Sequence, residues 1–215
     1  MISVMYILRY KNEKQNTVQL QKEKAELELK ALKSQLNPHF LFNTLNNIYS
    51  LSIENSKYTS ESISRLSDIL DYILYKGQQK LVTLSDELRI IDAYIELEKL
   101  RYDERLNVTK SENVEFTDLV PPLLYLSLVE NAFKHGAEKT SGNIDIRISI
   151  VTGIDHSIFK VENSAFEDSS DKRKGIGLEN VERQLQSYYQ DQYAMKITNE
   201  SNWFTIEIIT PRHHD

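Results

Sequence analysis

Hydrophobic and polar positions divide the chain into a first part with helical spacing throughout and a second part in which helix and strand periods alternate. Residues 12 to 36 are polar, rich in Glu, Lys and Gln, and free of Gly and Pro. Within them Val18, Ala25 and Leu32 recur every seven residues, and Leu29 and Leu36 do the same four places later, with Lys22 as the polar member of the seam. That spacing predicts a parallel dimeric coiled coil; a single solvated helix is the alternative. Pro38 removes a backbone donor and crowds the carbonyl of Ser34, so the helix should kink or restart there. Beyond it Leu41, Leu45, Ile48 and Ser52 share one stripe, and the polar stretch Glu54 to Ser60 reads as a turn. Ile63, Leu66, Leu70 and Ile73 then predict a second amphipathic helix, closed by Gly77. The sum is a helical hairpin whose faces would complete a bundle on dimerisation.

The pattern changes after a third helix. Thr83 or Ser85 can cap that helix, which runs to about Glu104 with Leu84, Leu88, Ile91 and Ile95 on its buried side. Leu106, Val108 and Lys110 then alternate like a strand, and Pro121 and Pro122 open a helix through about His135. Ile144, Ile146, Ile148 and Ile150 alternate strictly with polar residues, the mark of a strand with one buried face. Further β-rich runs cover Ser157 to Glu162, Tyr193 to Thr198 and Trp203 to Ile209, with a helix from about Leu178 to Tyr189 before the last two. Strands that mostly follow each other, with helices set apart, indicate an α+β two-layer sandwich rather than a doubly wound sheet.

Composition narrows the function classes. The chain has 215 residues, 40% hydrophobic and 27% charged, enough for one or two globular domains. A formal net charge of −6 argues against a dedicated nucleic-acid binder, which carries a basic footprint. Cysteine is absent, so disulfides, thiolate metal sites and cysteine nucleophiles are excluded. The apolar stretch Met1 to Leu8 is too short to span a membrane or to act as a signal peptide, and Arg9, Lys11 and Lys14 follow it at once. It reads either as the end of a transmembrane helix, with its cytoplasmic positive charges, or as the first turns of a soluble helix.

Three stretches carry chemistry. In Asn37-Pro38-His39-Phe40-Leu41-Phe42-Asn43 an imidazole follows a helix-breaking proline, and Asn43 lies one turn on along the same face. Leu128-Val129-Glu130-Asn131-Ala132-Phe133-Lys134-His135-Gly136 packs a carboxylate, a carboxamide, an ammonium and an imidazole into six residues at the end of a greasy helix. Oxygen ligands such as Glu130 and Asn131 suit Mg²⁺, while Lys134 and His135 can reach phosphate oxygens. Cations complementing a helix dipole would account for the last two but not for the first two. In Lys172-Arg173-Lys174-Gly175-Ile176-Gly177-Leu178-Glu179-Asn180 a glycine-rich turn with basic residues enters a helix, after a polar stretch (Glu167 to Asp171) that reads as a lid.

These three motifs, in this order and spacing, resemble the LytS-like family of bacterial sensor histidine kinases over about Leu32 to Pro211. The resemblance implies a membrane-proximal segment (1–11), a coiled-coil and helical dimerisation and phosphoacceptor domain (12–80) and a Bergerat-type ATP-binding domain (81–215). His39 would be the residue phosphorylated from ATP, and Asn43 would support it. Asn131 would ligate Mg²⁺, with Glu130 beside it holding metal-bound water. Lys134 and His135 would face the phosphates, and Gly175 and Gly177 would let the lid close. The partners implied are a second copy in a homodimer, a response regulator that receives the phosphoryl group on an aspartate, and, through an N-terminal anchor, the cytoplasmic side of the bacterial inner membrane. Direct nucleic-acid contact is not expected. The chain departs from the family where an Asp-x-Gly-x-Gly should follow a strand: Asn163-Ser164-Ala165-Phe166 stands there, so Asn163 is the candidate adenine acceptor. That gap sustains two rivals, a degenerate dimeric membrane scaffold with weak or no nucleotide binding, and a conformational ATPase that phosphorylates nothing. His156, His213 and His214 read as solvated.

Overall fold

A computed structural model describes residues 38–137, 143–164, 176–200 and 202–212. The expected coiled-coil seam, the N-terminal apolar segment, the lid with Gly175, and His213 and His214 lie outside the described residues. Two compact units are distinguished, residues 1–43 and 44–215, and the helix α1 (Pro38–Ile53) begins in the first and ends in the second.

The helical spacing of the first part is realised, with a shift of face. On α1 the buried positions are Phe40, Thr44 and Ile48, whereas Leu41 is half-buried and Leu45 is exposed. Apolar residues occupy two faces of this helix, so periodicity alone leaves the choice of inner face open. The same correction applies to α2 (Thr59–Asp71): Ser62, Leu66 and Ile69 are buried, while Ile63 is exposed and Leu70 half-buried. Ser62 tolerates burial because its hydroxyl donates to the carbonyl of Tyr58 at 2.8 Å. A π-helical segment, Tyr72–Lys76, continues α2 and stops at Gly77, whose amide donates to the Tyr72 carbonyl at 2.9 Å. Glycine is required there by close approach: a Cβ would sit 2.6 Å from the carbonyl oxygen of Ile73 and 3.3 Å from Leu123 Cδ1.

The second part is a two-layer sandwich. β1 (Val82–Thr83) pairs antiparallel with β3 (Leu119–Val120), and between them lie α3 (Leu84–Tyr102), a 3₁₀ turn (Asp103–Arg105) and β2 (Leu106–Val114). Thr83 caps α3, its hydroxyl oxygen accepting from the Asp86 amide at 3.2 Å. After α4 (Leu124–Ala137) come β4 (Ile144–Thr152), β5 (His156–Ser164), α5 (Ile176–Tyr189), β6 (Ala194–Glu200) and β7 (Trp203–Pro211). The five-stranded sheet has the order β2-β4-β5-β7-β6, parallel at β2–β4 and antiparallel elsewhere. His156 opens β5 and is exposed, as expected of a solvated residue.

Register puts the core on one face. Ile148, Val161 and Ile206 form one cross-strand row, Ile150, Phe159 and Ile208 the next, and all six are buried beneath the helices. α4 packs on β4 and β5 and touches both α3 and α5. The alternate positions on β4, Asp145, Arg147, Ser149 and Val151, are half-buried or exposed, so the opposite face of the sheet is open. The apolar rows end in polar ones. At one end Thr152, Ser157 and Thr210 are buried, and the Ser157 hydroxyl donates to the buried Asp118 carboxylate. At the other end the row is Ile146, Asn163 and Phe204, which places a buried carboxamide on the helix-facing side of the sheet.

Candidate functional site

The direction of α4 decides what meets at that second polar row. Its first turn lies at the Thr210 end, where Tyr125 stacks on Phe159 with ring centroids 4.2 Å apart. Its last turn therefore reaches the Asn163 end, and Gly136 packs there: a Cβ on it would lie 3.3 Å from Asn163 Cβ and 3.4 Å from Asn163 Nδ2. A Cβ added here would press on Asn163, which would have to give by a few tenths of an ångström. The Asn163 side chain is 2% exposed, and its Nδ2 donates to the Ser164 carbonyl at 3.1 Å. The nitrogen being so engaged, the carboxamide oxygen is the atom of this side chain that can serve as an acceptor.

One turn back along α4, Asn131 is also buried, and its Nδ2 has no hydrogen-bond partner among the described residues. Buried amides without partners are uncommon in folded chains and mark places where a ligand, ion or water completes the set. The Asn131 Oδ1 faces the first turn of α5, 3.9 Å from where a Cβ on Gly177 would stand. Glu130 is half-buried beside it, and Lys134 and His135 are exposed in the last turn of α4. The structure thus gathers Asn131, Asn163, Gly136 and Gly177 at one end of the sandwich, with Glu130, Lys134 and His135 on the same helix end. Among the described residues no group of three or more His, Cys, Asp or Glu converges as a metal cage. An oxygen-donor pair such as Asn131 and Glu130 instead fits an ion held largely by phosphates and water.

His39 lies on α1 with its imidazole exposed. Asn43, four residues on, places Nδ2 3.1 Å from Nε2 and 3.3 Å from Nδ1 of the ring. The amide nitrogen thus lies close to both ring nitrogens at once and holds the ring in place on the exposed face of α1.

A family model described as histidine kinase matches residues 27–106. The sensor histidine kinase BtsS of Escherichia coli (strain K12) is 31% identical over 192 residues, covering 87% of this chain and 34% of that protein. The sensor histidine kinase/phosphatase LytS of Staphylococcus aureus (strain Mu50) is 30% identical over 201 residues, covering 86% of this chain and 34% of that protein. The chain is similar over most of its length to LytS-like sensor histidine kinases. It spans about a third of the length of these relatives. Among solved structures, the catalytic domain of histidine kinase ThkA overlaps at 15% identity with a TM-score of 0.48, covering 62% of this chain and 97% of that domain.

This LytS-like chain also holds buried carboxylates that hydrophobic patterning passes over. Glu87 is fully buried in the first turn of α3 and accepts from the Tyr72 hydroxyl and from three backbone amides. Glu98, on the same helix, is 3% exposed and sits 3.5 Å from Arg101; burial pushes its carboxyl up to about 7, against the guanidinium. Tyr94 lies between them, edge-on to Phe133 at 5.3 Å, its hydroxyl held well above the usual range by burial and then by the charges of Glu98 and Glu130. The signal was present in the chain: Glu87 and Glu98 both fall on the apolar stripe of α3, at helical spacing from Leu84, Ile91 and Ile95.

Proposed function

We propose that this chain is the kinase core of a two-component sensor, transferring the γ-phosphoryl group of ATP to His39 and then to an aspartate of a response regulator. Similarity to the sensor histidine kinases supports the class of reaction, and the observation that carries the assignment is the exposed His39 imidazole held by the Asn43 amide. In this reading residues 12–80 form the dimerisation and phosphoacceptor region and residues 81–215 the ATP-binding domain, with residues 1–11 as the membrane-proximal segment.

Asn131 and Glu130 would hold Mg²⁺. The fit rests on oxygen: the Asn131 Oδ1, which faces the first turn of α5, and the half-buried Glu130 carboxylate beside it leave the remaining positions to phosphate and water. The buried Asn131 Nδ2, an N–H donor without a partner among the described residues, would find its acceptor in a phosphate or water oxygen. When bound, the ion neutralises charge on the phosphates. The protein's own part is positioning. Asn163 accepts from the base, Lys134 and His135 meet phosphate oxygens, and Gly175 and Gly177 leave room for backbone to approach them. A neutral imidazole is a competent nucleophile near pH 7, and Asn43 orients the ring.

The uncovered face of α1 supports a homodimer. Phe42, Leu45, Tyr49 and Ile53 recur at spacings of three and four and are each more than half exposed, and Ile63 of α2 is half exposed. A second copy laying the same face against it would close a four-helix bundle. No helix among the described residues is long and apolar enough to cross a membrane. The proposed anchorage at the cytoplasmic side of the inner membrane therefore rests on the apolar start of the chain and its trailing Arg9, Lys11 and Lys14.

The test is incubation with γ-labelled ATP and Mg²⁺, followed by acid treatment. Native protein should take up acid-labile label, and His39→Gln and Asn131→Ala should take up none. Label that survives in His39→Gln, or a native chain that never labels, sinks the assignment.

A further inference from the structure

Three segments meet at one carboxylate. Glu87 accepts from the hydroxyl of Tyr72, from the Leu123 amide at 2.6 Å, and from the amides of Tyr125 and Leu126 at 3.1 and 3.4 Å. Tyr72 belongs to the π-helical turn that ends the hairpin, Glu87 to the first turn of α3, and the amides of Tyr125 and Leu126 are free donors at the N-terminus of α4. A buried carboxylate at that terminus satisfies donors that the helix cannot satisfy itself, and it complements the dipole. The entry into α4 is held in an unusual conformation: Leu123 has φ of +63°, a region that leucine seldom occupies, with its own amide bonded to Glu87. Its side chain abuts Gly77, where no Cβ could be added. The Ser127 hydroxyl on the Leu123 carbonyl at 2.6 Å, and the Gln184 amide of α5 on the Pro122 carbonyl at 2.7 Å, complete the junction.

We propose that Tyr72 and Glu87 are positioning residues: they latch the end of the phosphoacceptor hairpin to the start of α4, the helix that carries Glu130 and Asn131 two turns further on. This inference rests on the kinase reading above. A movement of the π turn cannot pass unnoticed by α4, because withdrawing the tyrosine hydroxyl strips a donor from a fully buried carboxyl group. The latch is therefore made or broken rather than stretched, and it lets the hairpin set the pose of the nucleotide helix without touching nucleotide. It departs from a simple helix cap in one respect: a cap needs only Glu87 and the amides, whereas the latch needs the hydroxyl of Tyr72.

The test uses the 215-residue chain and the variant Tyr72→Phe, which removes one hydroxyl and keeps the ring, with Tyr75→Phe on the exposed side of the same turn as its control. Affinity for a fluorescent ATP analogue, thermal melting and His39 labelling at saturating MgATP are read together. The latch predicts that Tyr72→Phe keeps analogue affinity within about twofold while its saturated labelling rate falls about tenfold, and that Tyr75→Phe leaves both unchanged. Glu87→Gln, where it folds, should show the same split. A Tyr72→Phe chain that melts lower but labels at the native rate when saturated overturns the proposal, as does a loss that only mirrors weaker binding. A native chain that takes no label overturns the kinase reading and the latch with it; a labelling native chain with an unaffected Tyr72→Phe overturns the latch alone.

Discussion

The Asn43 amide nitrogen stands 3.1 Å from Nε2 of His39, one helical turn along the same face of α1. The amide brings no charge to the ring, whereas a carboxylate at the same place would stabilise imidazolium. Asn43→Asp should therefore slow His39 labelling at pH 7 and move the pH–rate profile to the alkaline side by about one unit. Asn43→Ala should lower the rate without moving the profile. Labelling measured from pH 6 to 9 separates the two effects, and equal profiles for all three chains would show that Asn43 does not touch the chemistry.

Glu87 carries a second prediction, this one about stability. Glu87→Ala leaves three amides and the Tyr72 hydroxyl buried without their acceptor. Removing one member of such a set costs the desolvation of the rest, roughly 3 kcal/mol or more. Urea unfolding should show that loss or a chain that no longer folds, while Thr83→Ala, which removes an exposed cap, should cost only about 1 kcal/mol.

These two sites show where sequence reading succeeds and where it stops. The alternation Ile144, Ile146, Ile148 and Ile150 has one interpretation, because four successive positions on one face of β4 are isoleucine and only that face can be inside. On α1 the apolar residues surround more than one face, and the chain alone does not say that Phe40 rather than Leu45 turns inward. Glu87 was visible as a carboxylate on an apolar stripe, but its amide acceptor role depends on Leu123, 36 residues later, and on the π turn of Tyr72. Non-local hydrogen bonds of that kind have no periodic signature. The candidate site divides the same way: Glu130, Asn131 and Gly177 stand out as motif residues, whereas the tight contact of Gly136 with Asn163 appears only once α4 is laid on β5.

Glu98 makes the stability of the protein fall as pH rises. Its carboxyl sits at about 7 in the folded chain because burial disfavours the charge, against an ordinary value of 4.5. The folded state therefore holds a proton that the unfolded state has released between those two values, and stability declines across that window before levelling off. The full effect is on the order of 3 kcal/mol. Glu98→Gln cannot ionise, so the difference in melting temperature between variant and native chain should grow from pH 5 to pH 8 in the variant's favour. A difference that stays constant would mean that Arg101 neutralises the buried charge fully.

Asn163 allows the adenine assignment to be tested by a change that harms the empty protein. Its amide nitrogen donates to the Ser164 carbonyl at 3.1 Å, and the side chain is buried against Gly136. Asn163→Asp loses that donor and sets a carboxylate against a carbonyl oxygen, which costs about 1–3 kcal/mol without nucleotide. If this side chain reads the amino group of adenine, the same carboxylate is a stronger acceptor for it than the amide. The variant should then melt lower than native alone yet gain more from MgATP, where ligand at one hundred times its dissociation constant adds about 2.7 kcal/mol. Guanine carries an oxygen at that position, so MgGTP should not rescue the variant. A variant destabilised equally with and without MgATP would place the base elsewhere and leave Asn163 as a structural link between β5 and α4.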